Sequence, residues 1–91
     1  MSEDPQRLDG NAAAGPLSEL FAAEMTQAMI TCAACGARGP EGGAHVYMGG
    51  PGLVVRCTSC DAVLMRMARI RGRLVADLRG IAVLEIADSS R

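Results

Sequence analysis

The chain contains two Cys-x-x-Cys pairs, and these constrain its fold more than any other feature. Cys32 and Cys35 form the first pair, Cys57 and Cys60 form the second, and 21 residues separate the pairs. The chain has no cysteines besides these four. Two such pairs at this separation are typical of a tetrahedral Cys₄ zinc site. The sequence therefore predicts one structural Zn²⁺ bound by these four side chains.

The residue after each pair supports the same interpretation. A tight turn that aims two sulfurs at one ion often needs a positive φ directly after its second cysteine. Gly36 adopts that conformation at no steric cost. Asp61 occupies the matching position of the second pair, and aspartate is one of the few other residues that tolerate it. We expect a positive φ at both positions.

Three other chemistries compete for the same cysteines. Iron fits a Cys₄ cage, but nothing else in the sequence indicates an electron carrier. A thioredoxin-like redox pair would begin a helix after a βαβ strand, whereas both pairs here lie between strands and turns. Two disulfides would require an oxidising compartment. We therefore favour zinc over iron, thiol redox chemistry and disulfides.

A catalytic zinc normally keeps an open position for water, whereas four cysteines close the coordination sphere. His45 is the one histidine of the chain. A lone histidine is more often a structural residue than a ligand, and His45 would coordinate the metal only in place of a cysteine. We expect no catalytic residues and no enzymatic activity.

Length and composition make a metal useful. A chain of 91 residues buries a smaller fraction of its surface than a large domain does, and its aromatic residues are limited to Phe21 and Tyr47. Small domains often compensate with a structural metal. The remaining core must consist of aliphatic residues and methionines.

The charges are unevenly distributed, and the nine basic residues are all arginines. Residues 1–31 hold five acids and one arginine, whereas residues 56–79 hold six arginines and two aspartates. Arg66, Arg69, Arg71 and Arg73 flank the Gly72 turn. Such a basic hairpin can contact nucleic acid phosphates, but base stacking would lack aromatic platforms. We favour a solvated strand face, with nucleic acid binding through Arg66–Arg79 as the alternative.

The N-terminus is acidic and polar, unlike a secretory signal, and no apolar stretch is long enough to span a membrane. We expect a cytoplasmic protein without a membrane partner.

The chain is expected to form one domain over residues 16–88. Residues 1–15 are predicted to be a flexible tail with a short helical turn capped by Asp9 or Asn11. Apolar residues at three- and four-residue spacing predict an amphipathic helix over 16–28, beginning at Pro16. Residues 89–91 are expected to be a C-terminal tail.

The rest of the chain reads as strands. Residues 29–31 should be extended, and residues 36–43 should form a loop because they hold four glycines and a proline. Apolar runs bounded by glycines predict the remaining strands at 44–48, 53–56, 62–71, 73–79 and 81–86.

The pattern of both cysteine pairs with intervening strands resembles a zinc ribbon over about residues 29–80. The lead segment, from Leu8-Asp9-Gly10-Asn11 through Glu24-Met25-Thr26, is similar to the N-terminus of a small bacterial zinc-ribbon family of unknown function. The resemblance implies two knuckles at the ends of antiparallel hairpins and the four cysteines as ligands. The expected fold is thus small mixed α+β and metal-stapled: a zinc ribbon preceded by one amphipathic helix.

These observations predict a non-enzymatic zinc module that acts as a protein-interaction adaptor, with a protein partner or self-association. Nucleic acid binding is the first alternative and a thiol redox or metal-relay role is the second. No small-molecule substrate, and no cofactor besides zinc, is expected.

Overall fold

The computed structural model describes residues 7–21, 25–49 and 52–87. Eight strands, one α-helix and two 3₁₀ turns alternate along these ranges. The strands are β1 Arg7–Asp9, β2 Met29–Cys32, β3 Arg38–Pro40, β4 His45–Gly49, β5 Gly52–Arg56, β6 Val63–Ile70, β7 Arg73–Asp77 and β8 Ile81–Glu85. The helix α1 is Ala14–Phe21, and the 3₁₀ turns are Gly10–Ala13 and Glu41–Gly43.

The strands form two antiparallel sheets. The five-stranded sheet has the order β1-β4-β5-β6-β7, and the three-stranded sheet has the order β3-β2-β8. The described residues thus form a small mixed α/β protein with one helix, which confirms the expected class. The long-range pairing of β2 with β8 brings the end of the chain back beside the first cysteine pair.

The hairpins of the five-stranded sheet follow the predicted pattern. β4 pairs with β5, and β6 pairs with β7 around a two-residue turn of Arg71 and Gly72. Both turn residues have positive φ, 52° and 76°, which is the type I′ geometry that suits the twist of a hairpin. The predicted strand boundaries of this part are confirmed to within two residues.

The prediction of a flexible tail over residues 1–15 is wrong from Arg7 onward. β1 pairs with β4, placing Leu8 opposite Val46, and Ala13 is fully buried. The predicted short helical turn is confirmed. Asp9 caps it by accepting a hydrogen bond from the Asn11 N–H at 3.0 Å. Residues 1–6 lie outside the described residues, as do residues 88–91 with the predicted C-terminal tail.

The predicted helix over 16–28 is confirmed at its start to within two residues and is wrong at its end. α1 begins at Ala14, because the capped 3₁₀ turn continues directly into it and leaves Pro16 in the first helical turn, where an N–H has no partner to lose. Residues 22–24 lie outside the described residues. The next described residues form a turn, with Ala28 N–H donating to Met25 C=O at 3.0 Å. The apolar spacing of Met25 and Ala28 reflects burial in this turn, since both are almost fully buried.

The predicted loop over 36–43 is wrong in its second half. Residues 38–40 form β3, paired with β2, and Glu41–Gly43 form a 3₁₀ turn packed against the Gly10–Ala13 turn. The contact is close at Gly10, where a Cβ would lie 1.8 Å from Glu41 C=O. Only glycine fits that approach between two backbone segments.

The core lies between α1 and one face of the five-stranded sheet and continues to the three-stranded sheet. Its fully buried apolar side chains are aliphatic or methionine, including Leu17, Met25, Val46, Val55 and Met65, and the charged residue Glu41 is fully buried as well. Flexible methionine side chains fill irregular space that aromatic rings would otherwise occupy. Tyr47 lies on the opposite face of the sheet, because successive residues of a strand point to opposite faces and its neighbour Val46 faces the core.

Candidate metal centre

Each cysteine pair lies on a tight turn at the end of a strand. The first turn follows β2, and the second connects β5 to β6. In the first, Gly36 N–H donates to Cys32 C=O at 2.9 Å; in the second, Asp61 N–H donates to Cys57 C=O at 2.9 Å. A second matching bond closes each turn, from Cys32 N–H to Ala37 C=O and from Cys57 N–H to Ala62 C=O, both at 2.9 Å. The two turns therefore have the same backbone geometry.

The backbone dihedral after each pair confirms the prediction made from the sequence. Gly36 has φ of 79° and Asp61 has φ of 65°. Backbone N–H groups before and after these left-handed residues approach the sulfurs. Ala34 and Ala37 N–H donate to the sulfurs of Cys32 and Cys35 at 3.4 and 3.5 Å. Ser59 N–H donates to Cys57 Sγ at 3.3 Å.

The two turns bring all four cysteine sulfurs together. Cys32 Sγ lies 3.7 Å from Cys60 Sγ, and Cys35 Sγ lies 3.7 Å from Cys57 Sγ. All four sulfurs lie within 4.8 Å of one another. None is in a disulfide, in which the sulfurs would be about 2.05 Å apart.

Two sulfur separations in the cluster match those of a tetrahedral site. Four sulfurs at about 2.3 Å from a central ion are separated by about 3.8 Å from one another. The observed 3.7 Å separations match this value, so the four sulfurs can bind one metal ion. The first cysteine of each pair is buried and the second is exposed, which places the centre at the surface.

The electrostatics of the cluster explain why it needs a cation. Burial opposes ionisation of Cys57, but the N–H groups of Cys60 and Ser59 and the neighbouring thiols outweigh it and lower the Cys57 pKa to about 7. At Cys32, the Cys35 N–H is the largest of the effects that lower the pKa.

Cys60 shows the opposite effect. The Ala62 N–H favours its thiolate, yet burial and the three neighbouring cysteines together raise its pKa to about 12. The protein by itself therefore holds only part of the negative charge of four thiolates. A bound cation would supply the missing compensation, because metal ligation requires deprotonated sulfur.

The other residues considered from the sequence lie away from the cluster. His45 is half-buried on β4, opposite Asp9 and Arg56, and is not among the clustered groups. The arginines of the β6–β7 hairpin are divided between the two faces of the sheet. Arg66 lies opposite Asp77, and Arg69 lies opposite Leu74 on the other face.

Two contacts of the site were not predicted. Ala33 N–H, in the first cysteine turn, donates to Gly80 C=O at 2.9 Å. Arg56, directly before Cys57, donates from Nη1 to Asp61 C=O at 2.9 Å. The Gly80 contact could not be predicted locally, because it depends on pairing between distant segments. The Arg56 contact could have been predicted, because Arg56 lies directly before the second cysteine turn in the sequence.

Fold and cluster together define a class: a small mixed α/β protein with four clustered cysteines that can bind one metal ion. The chain belongs to a family of unknown function, DUF6510, whose model matches residues 3–89. No curated protein and no solved structure shows significant similarity to the chain. Within the described ranges, no helix has the length and apolar character needed to cross a membrane.

Proposed function

We propose that Cys32, Cys35, Cys57 and Cys60 bind one structural Zn²⁺ and that the chain is a zinc-ribbon-like, non-enzymatic interaction module of the cytoplasm. The observation that carries the metal assignment is the near-tetrahedral spacing of the four sulfurs. Zinc is favoured because it is redox-inert and takes four thiolates in this geometry without further cofactors. A protein partner fits a site of this kind, because a closed Cys₄ centre offers no open position for a substrate.

The structural role follows from where the turns lie. Cys32 ends a strand of the three-stranded sheet, and Cys57 and Cys60 lie between two strands of the five-stranded sheet. An ion held by both turns would join the two sheets. Binding free energy of about 10–16 kcal/mol for a structural zinc would then stabilise the fold directly, because the unfolded chain has no preformed site.

Metal analysis and one substitution test this proposal. Protein purified without added metal should contain one zinc ion per chain. Cys57→Ser should lose the zinc and cooperative unfolding, because it removes a buried thiolate ligand. Ser59→Ala is the matched control in the same turn, since only the backbone N–H of Ser59 contacts a sulfur. A metal-free wild type with cooperative unfolding, a visible iron spectrum, or two disulfides would each contradict the proposal.

A further inference from the structure

The five-stranded sheet has one face that neither α1 nor the three-stranded sheet covers. Residues directly opposite one another on antiparallel strands share a face. The pairs Tyr47↔Val54 and Val54↔Arg66 therefore form one row on the face opposite the core. We call this surface the open face. Its other side chains include Asp9, His45, Arg56, Ala68, Ile70, Arg73, Val75 and Asp77.

The open face is accessible and carries exposed apolar side chains on β6 and β7. Ile70 is 50% exposed and Val75 is 47% exposed, which is high for large aliphatic side chains on a sheet. A shallow depression of about 430 Å³ lies beside Tyr47, lined also by Val54, Arg66 and Ala68. Gly49 and Gly52 extend its floor, because they place no side chain above the strands. The depression can accept one large apolar side chain.

The charges around the depression are positive. Arg66 and Arg73 are exposed, and neither forms an ion pair within the described part of the chain. Asp77 lies opposite Arg66, but its carboxylate is engaged by Arg79, with Nε donating to Oδ1 at 3.0 Å. Asp77 also interacts electrostatically with Arg66, but Arg56, Arg66 and Arg73 outnumber Asp9 and Asp77, so the open face keeps a net positive charge.

Arg56 connects the open face to the second cysteine turn. Its guanidinium carbon lies 5.8 Å from the centre of the Tyr47 ring. Its Nη1 is anchored on Asp61 C=O at 2.9 Å, in the turn that carries Cys57 and Cys60. The proposed metal would thus fix Arg56, and Arg56 would fix the orientation of the Tyr47 ring.

The composition of the open face distinguishes a protein partner from nucleic acid. Tyrosine and arginine dominate binding energy in protein interfaces, and lysine, which this chain lacks, is depleted there. A single-stranded nucleic acid needs successive stacking platforms, whereas the open face offers one aromatic ring. Arg56 is committed to the cysteine turn, so few cations remain for phosphates.

We propose that the open face binds an acidic polypeptide segment, whose apolar anchor side chain enters the depression beside Tyr47 and whose carboxylates contact Arg66 and Arg73. Arginine binds carboxylates in a bidentate manner, which fixes the position of the segment as well as attracting it. This inference rests on the proposed function, because it specifies the partner of the proposed interaction module.

A displayed library of short random peptides, selected on the zinc-loaded protein, tests the inference. The enriched peptides should be acidic and contain an aromatic or large aliphatic residue. Arg66→Glu and Tyr47→Ala should each weaken their binding by about tenfold or more, as expected for central interface residues. Arg71→Glu is the control, because it makes the same charge change on the turn beyond the strands and should alter affinity by less than about twofold.

Several results would overturn the inference. These are enrichment of no peptide or of basic peptides, equal binding by the Arg66→Glu variant, and tighter binding of single-stranded oligothymidylate at physiological salt. A dimer that Tyr47→Ala converts to monomer would instead assign the open face to a second copy. Circular dichroism of each variant establishes that it is folded.

The same assay separates this inference from the proposed structural zinc. If zinc-loaded protein binds no peptide, the docking surface is wrong while the zinc assignment stands. If Cys57→Ser protein lacks metal but retains folding and peptide binding, the structural role of zinc is wrong while the docking surface stands.

Discussion

Gly80 lies at a close contact between the C-terminal part of the chain and the strand that follows the second cysteine turn. A Cβ at this position would lie 1.9 Å from Val63 C=O, 2.7 Å from Leu64 Cα and 2.8 Å from the Val63 carbonyl carbon. All three atoms belong to backbone, which cannot rotate away as a side chain can. We therefore expect Gly80→Ala to be strongly destabilising.

The magnitude follows from the required displacement. Ordinary contact of a Cβ begins at 3.4 Å, so the two segments would have to separate by about 1.5 Å. Val63 is paired with Arg56 on β5, and Gly80 C=O accepts the Ala33 N–H of the first cysteine turn. Moving either segment disturbs one of these contacts. Overpacking typically costs about 1–3 kcal/mol, and we expect the upper end of that range or beyond it.

Urea unfolding of the zinc-loaded protein measures this loss. Gly39→Ala is the matched control, because a Cβ there meets no atom within 4 Å and the residue lies in the three-stranded sheet. Its free energy of unfolding should stay within about 0.5 kcal/mol of wild type. If Gly80→Ala also stays within that limit, the segment around Gly80 does not approach β6 as described. Zinc affinity of Gly80→Ala should fall as well, since the Ala33 contact anchors the first cysteine turn.

Other substitutions test the turns and the edge of the small sheet. Gly36→Ala should lower the free energy of unfolding by about 1–2 kcal/mol because its φ is 79°. Asp61→Gly should be tolerated, because glycine suits the positive φ and the exposed Arg56–Asp61 ion pair that it removes, at 3.9 Å, is weak. An equal loss in both would contradict the role of positive φ. Arg38 donates to both carboxylate oxygens of Glu85 at 2.7 and 2.8 Å, which lowers the Glu85 pKa. The stabilisation from this exposed ion pair should be present at neutral pH and should disappear as the pH falls through the lowered Glu85 pKa. The urea midpoints of wild type and Glu85→Gln, compared across pH and at high salt, measure this stabilisation.

Local sequence signals predicted the cysteine turns well. The turn geometry depends on residues within five positions of each other, and the positive φ at Gly36 and Asp61 follows from steric properties of those residue types. The β6–β7 hairpin was equally predictable, because the alternation of apolar and polar residues specifies its faces and Gly72 specifies its turn. In each case the information lies beside the structure that it determines.

Pairing between distant segments was not predictable in the same way. β1 is three residues long and pairs with β4, and its short run carries no periodicity of its own. β8 was expected as a strand, but nothing in its sequence selects β2 as its neighbour. The helix was overextended because Met25 and Ala28 keep a three-residue spacing that a buried turn also satisfies.

The positions of the two sheets indicate which part of the fold would depend most on the metal. The buried residues of the five-stranded sheet are numerous and include Val46, Val55 and Met65. In the three-stranded sheet, only Ile30 and Cys32 are buried among the described residues. The small sheet therefore has little hydrophobic stabilisation of its own and is joined to the large one through the first cysteine turn. Removal of the proposed zinc should release the small sheet first, because the ion would link the end of β2 to the second cysteine turn of the large sheet.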